Sequence, residues 1–225
     1  MCGRFALYAE YEALLERFDI EEAALDRASY EESYNVAPSQ QIAAVINDGK
    51  RNRLGTFRWG LVPSWAKDQK IGYKMINARA ETAAEKPSFR SAFKKKRCLI
   101  PANAFYEWKK GQDGKTPMLI HLEGDELFAF AGLWESWKSP EGEVVHSCTI
   151  LTTQPNAVMA DIHDRMPVIL SKDDEKAWLD PNIQDPELLQ KLLKPYNAAE
   201  LEAYEVSGAV NSPKNKGQEL TQKIG

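Results

Sequence analysis

Cysteine is scarce here: three in 225 residues, with no Cys-x-x-Cys pair, so neither a disulfide framework nor a zinc clasp is expected. The three histidines, His121, His146 and His163, are far apart, and none forms a pair at ligand spacing. No metal site follows. No apolar run approaches the roughly 20 residues that span a bilayer, so no membrane partner is expected. The amino terminus lacks the basic-then-apolar pattern of a signal peptide, which predicts a cytoplasmic protein with reduced thiols. No Gly-rich loop follows a strand and opens a helix, so no nucleotide cofactor, nor any other, is expected. Repeats and low-complexity linkers are missing too. One domain over residues 2–220, with Met1 removed and a short tail at 221–225, is the expected organisation.

What is present is unevenly spread. The net charge is −4, yet every charged residue from 86 to 97 is basic, while acids gather between 173 and 205. That segregation fits either one basic face on an acidic protein, suited to nucleic acid, or a solvated helix end. Apolar alternation bounded by turn residues predicts strands over 3–7, 41–46, 53–59, 97–100, 104–109, 118–122, 127–134, 144–152 and 202–207. Hairpin turns are expected at 47–50 and 111–114, and a proline-set extended turn at 34–38. Helical spacing covers 8–18, 87–96, 156–161, 174–179 and 186–193, and the acidic stretch before Glu32 suggests no element. The fold class is therefore α+β, an antiparallel barrel-like sheet core with peripheral helices.

Cys2 carries the most chemical information. Initiator methionine is generally removed before a small residue, so Cys2 is expected to be the mature amino terminus. Its α-amine and thiol, with ordinary pKa values of about 7.7–8.0 and about 8.5, would sit on adjacent carbons. Such a pair condenses with an aldehyde, the amine forming an imine and the sulfur closing a thiazolidine. It can instead attack an amide, with the amine as base. A Met-Cys start alone reads first as an accident of composition.

Four internal blocks are unlike ordinary core. Residues 58–65 place Trp59 and Trp65 around a glycine-proline turn, either as packed core or as a platform for bases. Residues 76–82 gather Asn77, Arg79 and Glu81, with Asn77 and Arg79 on one face if the segment is extended. In 101–108, Glu107 lies between Tyr106 and Trp108; facing inward it could exchange protons near neutrality, facing water it would do nothing. In 161–167, His163 sits among opposite charges in a proline-bounded loop, placed to titrate.

Read in order, the blocks resemble the SOS-response-associated peptidase (SRAP) family. The resemblance is carried by Met1-Cys2-Gly3-Arg4-Phe5, Tyr34-Asn35-Val36-Ala37-Pro38 and Trp59-Gly60-Leu61-Val62-Pro63. Asn77-Ala78-Arg79-Ala80-Glu81, Phe105-Tyr106-Glu107-Trp108 and His163-Asp164-Arg165-Met166-Pro167 continue it. It implies a sensor of abasic sites in single-stranded DNA, or at single-to-double-strand junctions. Such a protein bonds to the site through Cys2 as a thiazolidine crosslink that shields it from strand breakage. An autoproteolytic peptidase activity at Cys2 belongs to the same family reading. The implied catalytic set is Cys2, Asn77, Glu107 and His163, with His163 opening the sugar and Glu107 accepting a proton. Arg4, Arg79, Arg90 and Arg165 are implied phosphate contacts and Thr152 a hydroxyl donor. Pro38, Trp59 and Trp65 would wedge against flanking bases. A monomer, cytoplasmic and nucleoid-associated when bound to DNA, is expected. The rival readings are a glutaminase-type amidohydrolase with an amino-terminal nucleophile and a non-covalent single-strand binding module.

Overall fold

A computed structural model of the chain describes residues 2–112 and 114–224. The first strand, β1 (Phe5–Leu7), is buried throughout and leads into α1 (Tyr11–Arg17). This helix starts later than the period over 8–18 suggests. Tyr8 and Ala9 both donate their N–H groups to Asn103 Oδ1 (2.9 and 3.0 Å), which holds them out of it. β2 (Ile20–Ala23) lies in the acidic stretch where no element was expected, pairing through its backbone with Asn52, Arg53 and Leu54. Its acids stay in solvent, and Glu22 meets Arg51 and Arg53. A strand with no buried face leaves no alternating signal to read.

β3 (Ser33–Val36), β4 (Gln41–Asn47) and β5 (Asn52–Trp59) follow, with Asp48 capping the β4–β5 turn by accepting from the N–H groups of Lys50 and Arg51. A long connection then reaches β6 (Asn77–Arg79), α2 (Ala80–Ala83) and α3 (Arg90–Lys95). Next come β7 (Arg97–Ala102), β8 (Ala104–Gly111), β9 (Gly114–Leu122), β10 (Phe128–Lys138) and β11 (Val144–Thr153). Gly111 pairs with Gly114 at the expected hairpin turn, of which Asp113 lies outside the described residues. The remaining elements are α4 (Ala157–Ala160), β12 (Met166–Pro167), α5 (Lys172–Leu179), α6 (Pro186–Leu192) and β13 (Leu201–Glu205). Beyond them the expected tail folds back: Lys223 bridges to Val206, and Ile224 N–H donates to Glu205 O (2.9 Å).

One sheet runs β13-β9-β8-β1-β3, the other β12-β11-β10-β7-β4-β5-β2 with β6 alongside β11. β11 also pairs with β5 (Ser147↔Arg58, Cys148↔Trp59), so β5, β4, β7, β10 and β11 close into a ring. The α+β barrel-like core with peripheral helices is therefore the observed architecture. Three pairings are parallel rather than antiparallel: β11 with β5, β11 with β6, and β2 with β5. Each joins segments far apart in sequence, where turn signals carry no information. Phe5, Trp59, Phe105 and Phe130 fill the core, with Phe5 touching Trp59 at 5.2 Å and Phe130 at 5.9 Å between ring centroids. No helix among the described residues is long and apolar enough to cross a membrane.

The helical flank hangs on Arg97, which is buried and donates to the carbonyls of Phe93, Lys94, Trp178, Asp180 and Ile183 at 2.5–3.1 Å. It ties the end of α3 to the end of α5. Arg97→Met keeps much of the volume but strands those carbonyls, and hydrogen bonds to a charged donor are worth about 1.5–3 kcal/mol each. A loss of at least about 3 kcal/mol is expected, seen as a lower urea midpoint at unchanged slope. A midpoint equal to wild type would mean that water replaces the guanidinium.

Candidate functional site

The β1–β8 ladder (Phe5↔Phe105, Ala6↔Ala104) continues backward through Tyr106 N–H donating to Arg4 O (2.9 Å). That register carries residues 2 and 3 alongside Glu107 and Trp108. Cys2 is fully buried, with Sγ 4.0 Å from Arg4 O, and Glu107 is 3% exposed. Of the two faces open to Glu107, the fold uses the inward one. Burial raises the Cys2 thiol well above its ordinary pKa, and the Glu107 carboxylate raises it further. Near neutral pH the sulfur is a thiol, and a base must take its proton when it reacts.

Asn77 opens β6, which lies parallel to β11 (Ile150↔Asn77, Leu151↔Ala78, Thr152↔Arg79). Ala78 points into the core while Asn77 and Arg79 share the other face, as an extended segment requires. The Asn77 amide nitrogen donates to Ile76 O (3.1 Å), whereas its Oδ1 is buried and has no hydrogen-bond partner among the described residues. A buried acceptor left open is uncommon and marks a place for a donor. Trp59 Nε1 donates to the same Ile76 carbonyl (2.9 Å), and Phe5 packs on Trp59. These contacts link β1, which carries Cys2 at its head, to β6.

On the other edge of β11, β12 pairs Thr152↔Pro167, so the end of β11 lies between β6 and the His163 loop. Arg165 N–H donates to His163 Nδ1 (3.0 Å), which places the proton of a neutral ring on Nε2. Asp164 Oδ1 stands 2.9 Å from the same Nδ1, ready to accept from a protonated ring. The Arg165 guanidinium forks onto Glu81 (2.8 and 2.8 Å) and donates to Thr152 O (2.6 Å). Hydrogen bonding from Arg165 holds the Glu81 carboxyl below the usual carboxylate range. Fold and loop are thereby tied together at His163.

The other sequence candidates divide by burial. Trp59, expected as a wedge, has no exposed surface and offers no face to a base; barrel closure between β5 and β11 has enclosed it. Trp65, by contrast, is 58% exposed. Arg4, expected on phosphate, donates to Asn35 Oδ1 (2.8 Å) and Val210 O (2.6 Å) and lies over the Trp108 ring. Burial pulls its pKa down, and its observed partners are internal. Thr152 is buried, with Oγ1 3.4 Å from Arg165 Nη2, and Arg165 itself is engaged by Glu81. Arg79 and Arg90 are exposed, and Pro38 is half-buried.

Sequence reasoning missed Asn35, whose amide nitrogen donates to Val210, Ser212 and Asn215 carbonyls (3.3, 3.0 and 2.8 Å). With Arg4 it clamps residues 210–215 onto β3; a polar residue in the inward strand run 34–37 was the available signal. Sequence reasoning singled out Glu81 but not its pairing with Arg165. Cavities of about 580 and 470 Å³ lie elsewhere and include none of the candidate residues, of which Trp65, Arg79 and Arg90 lie on the surface while Cys2, Glu107 and Thr152 are buried.

Comparison with known proteins bears on this surface. The model of the SOS response associated peptidase (SRAP) family matches residues 1–213. The chain is 59% identical over 224 residues to the abasic site processing protein YoqW of Bacillus subtilis, covering 99% of each. It is 32% identical over 237 residues to the abasic site processing protein HMCES of Xenopus tropicalis, covering 89% of this chain and 70% of that one. A crystal structure of a protein from Bacteroides thetaiotaomicron matches with a TM-score of 0.90 at 27% identity, over 99% of this chain and 100% of its own.

Proposed function

The chain belongs to the SOS response associated peptidase family, and we propose that it processes abasic sites by bonding covalently to them through Cys2. The observation that carries this reading is the burial of the Cys2 thiol together with the Glu107 carboxylate at the end of the β1–β8 ladder. A thiol so reluctant to ionise is kept from adventitious oxidation and alkylation and needs a base beside it. Glu107 is that base.

Removal of Met1 makes Cys2 the amino terminus. The abasic deoxyribose is mostly a closed hemiacetal, and His163 moves the proton that opens it to the aldehyde. Asn77 Oδ1, the buried open acceptor, receives an N–H of the Cys2 amine and orients its lone pair. The amine adds to the aldehyde carbon and water leaves, giving an imine. Glu107 takes the thiol proton and passes it to the imine nitrogen as Sγ adds to the imine carbon and closes the thiazolidine. Aldehyde plus aminothiol become ring plus water. The ring cannot eliminate the neighbouring phosphate as an imine can, so the strand stays whole. Arg79 and Arg90 contact phosphates, and Trp65 with Pro38 presses on a flanking base; a ring wedged there favours single strands or junctions over continuous duplex. The protein acts as a monomer, in the cytoplasm where genomic DNA lies.

Purified protein mixed with single-stranded DNA bearing one abasic site should give a heat-resistant adduct on a denaturing gel. Intact mass should read methionine-free protein plus DNA minus one water. Binding of the strand in a native gel without any heat-resistant adduct, or hydrolysis of glutamine without any adduct, would overturn the reading in favour of a non-covalent binder or an amidohydrolase respectively.

A further inference from the structure

The connection between β5 and β6 carries two well-exposed aromatic side chains, Trp65 at 58% and Tyr73 at 60%. Only Trp65 has a role above. We propose that Tyr73, backed by Arg58, is a second stacking platform, taking a base of single-stranded DNA in addition to the base on Trp65. The proposal rests on the DNA-binding reading and extends it to a residue outside the family motifs.

Three observations carry it. First, the connection is built rigidly. Gly60 and Gly72 approach so closely that a Cβ on either would lie 2.6 Å from the other's carbonyl oxygen, and Gly60 has φ +130°. Leu61 N–H donates to Met75 O (3.1 Å), Val62 N–H to Ser147 Oγ (2.8 Å), and Trp137 Nε1 to Ala66 O (2.6 Å). Asp68 caps the 3₁₀ helix at Gln69–Lys74 by accepting from Lys70 N–H (2.9 Å). Tyr73 thus projects from a fixed turn, and a fixed aromatic face loses little entropy when a base lands on it.

Second, the Arg58 guanidinium lies 5.3 Å from the centre of the Tyr73 ring. One face of the ring is covered by a cation and the other is left open. An arginine behind a stacking ring adds positive potential where a nucleotide's phosphate must pass. Third, the surroundings have one sign. Residues 58–76 carry Arg58, Lys67, Lys70 and Lys74 against a single acid, Asp68, which stands 3.9 Å from Lys70, and all three lysines are exposed. On a chain of net charge −4 this is a local cationic strip, and it runs straight into Asn77 and Arg79 of β6. Exposed aromatic rings among lysines, continuous with the site, fit a single-stranded polyanion better than an apolar protein surface.

The test uses the intact protein, its Tyr73→Ala and Tyr73→Phe variants, and fluorescently labelled oligonucleotides. These are single-stranded with both flanks, single-stranded with either flank trimmed to the site, and fully duplex. Tyr73→Ala should weaken binding to the fully flanked single strand roughly five- to hundred-fold, the range for losing one stacked base. Tyr73→Phe should bind like wild type. The Tyr73→Ala deficit should vanish on one of the two trimmed strands and on duplex. Equal affinity of Tyr73→Ala and wild type for the flanked strand would overturn the platform, as would a deficit of the same size on duplex. Wild type that forms the heat-resistant adduct while Tyr73→Ala binds normally keeps the covalent reading and removes only the platform. Wild type that forms no adduct while Tyr73→Ala binds single strands poorly does the reverse.

Discussion

Cys2→Ala is expected to abolish the heat-resistant adduct completely while leaving a bond that borohydride can trap. Alanine is as small as cysteine and as compatible with removal of the initiator methionine, so the variant should still present an α-amine and condense with the opened sugar to an imine. Without Sγ the imine has no ring to close into. It either hydrolyses or eliminates the adjacent phosphate, so strand breakage should rise above that seen with wild type. Loss of the sulfur barely perturbs the fold: one small buried side chain is shortened, and large-to-small core changes of this size cost on the order of 1 kcal/mol. A melting temperature near wild type would confirm that chemistry, rather than folding, was removed. A Cys2→Ala protein that still gives a heat-resistant adduct without reductant would show that some other nucleophile forms the bond.

Glu107→Gln separates two accounts of the thiol that predict opposite signs. The Glu107 carboxylate raises the Cys2 pKa, second only to burial. A neutral glutamine removes that contribution, so the thiol ionises at lower pH than in wild type. If the standing thiolate fraction limited ring closure, Glu107→Gln would therefore be faster at pH 7. If Glu107 accepts the proton as the ring closes, the variant is slower, by about 10²- to 10⁴-fold for loss of a positioned general base. Single-turnover formation of the heat-resistant adduct measures the rate directly, and the second outcome is expected. Glutamine keeps the shape of the buried side chain, so a fold effect should be small. A rate equal to or above wild type would remove Glu107 from the mechanism.

The strand pattern was largely legible because alternation and turn chemistry are local: β4, β5 and their Asp48-capped turn stand where the residues put them. Edge strand β2 was not legible, since its residues are polar on every face. The inward turn of Glu107 was not legible either. The first half of β8 is buried on both faces, against its own sheet's neighbours and the barrel alike, and so shows no alternation from which to assign a side. Trp59 and Trp65 look equivalent in the chain, six residues apart around one glycine, yet one is core and the other is surface. The arginines divided in the same way, with Arg4 and Arg165 held by Asn35 and Glu81 while Arg79 and Arg90 stay in solvent.

The order of residues alone determined the cysteine at position 2, the motif blocks and the strand-rich composition, because identity and local period need no partner. Which of those groups face one another was decided only by closing β11 onto β5 and laying β6 and β12 along its end. Burial, pairing and open acceptors are properties of segments that meet across the sheet. The distance between them in the chain carries no trace of that meeting.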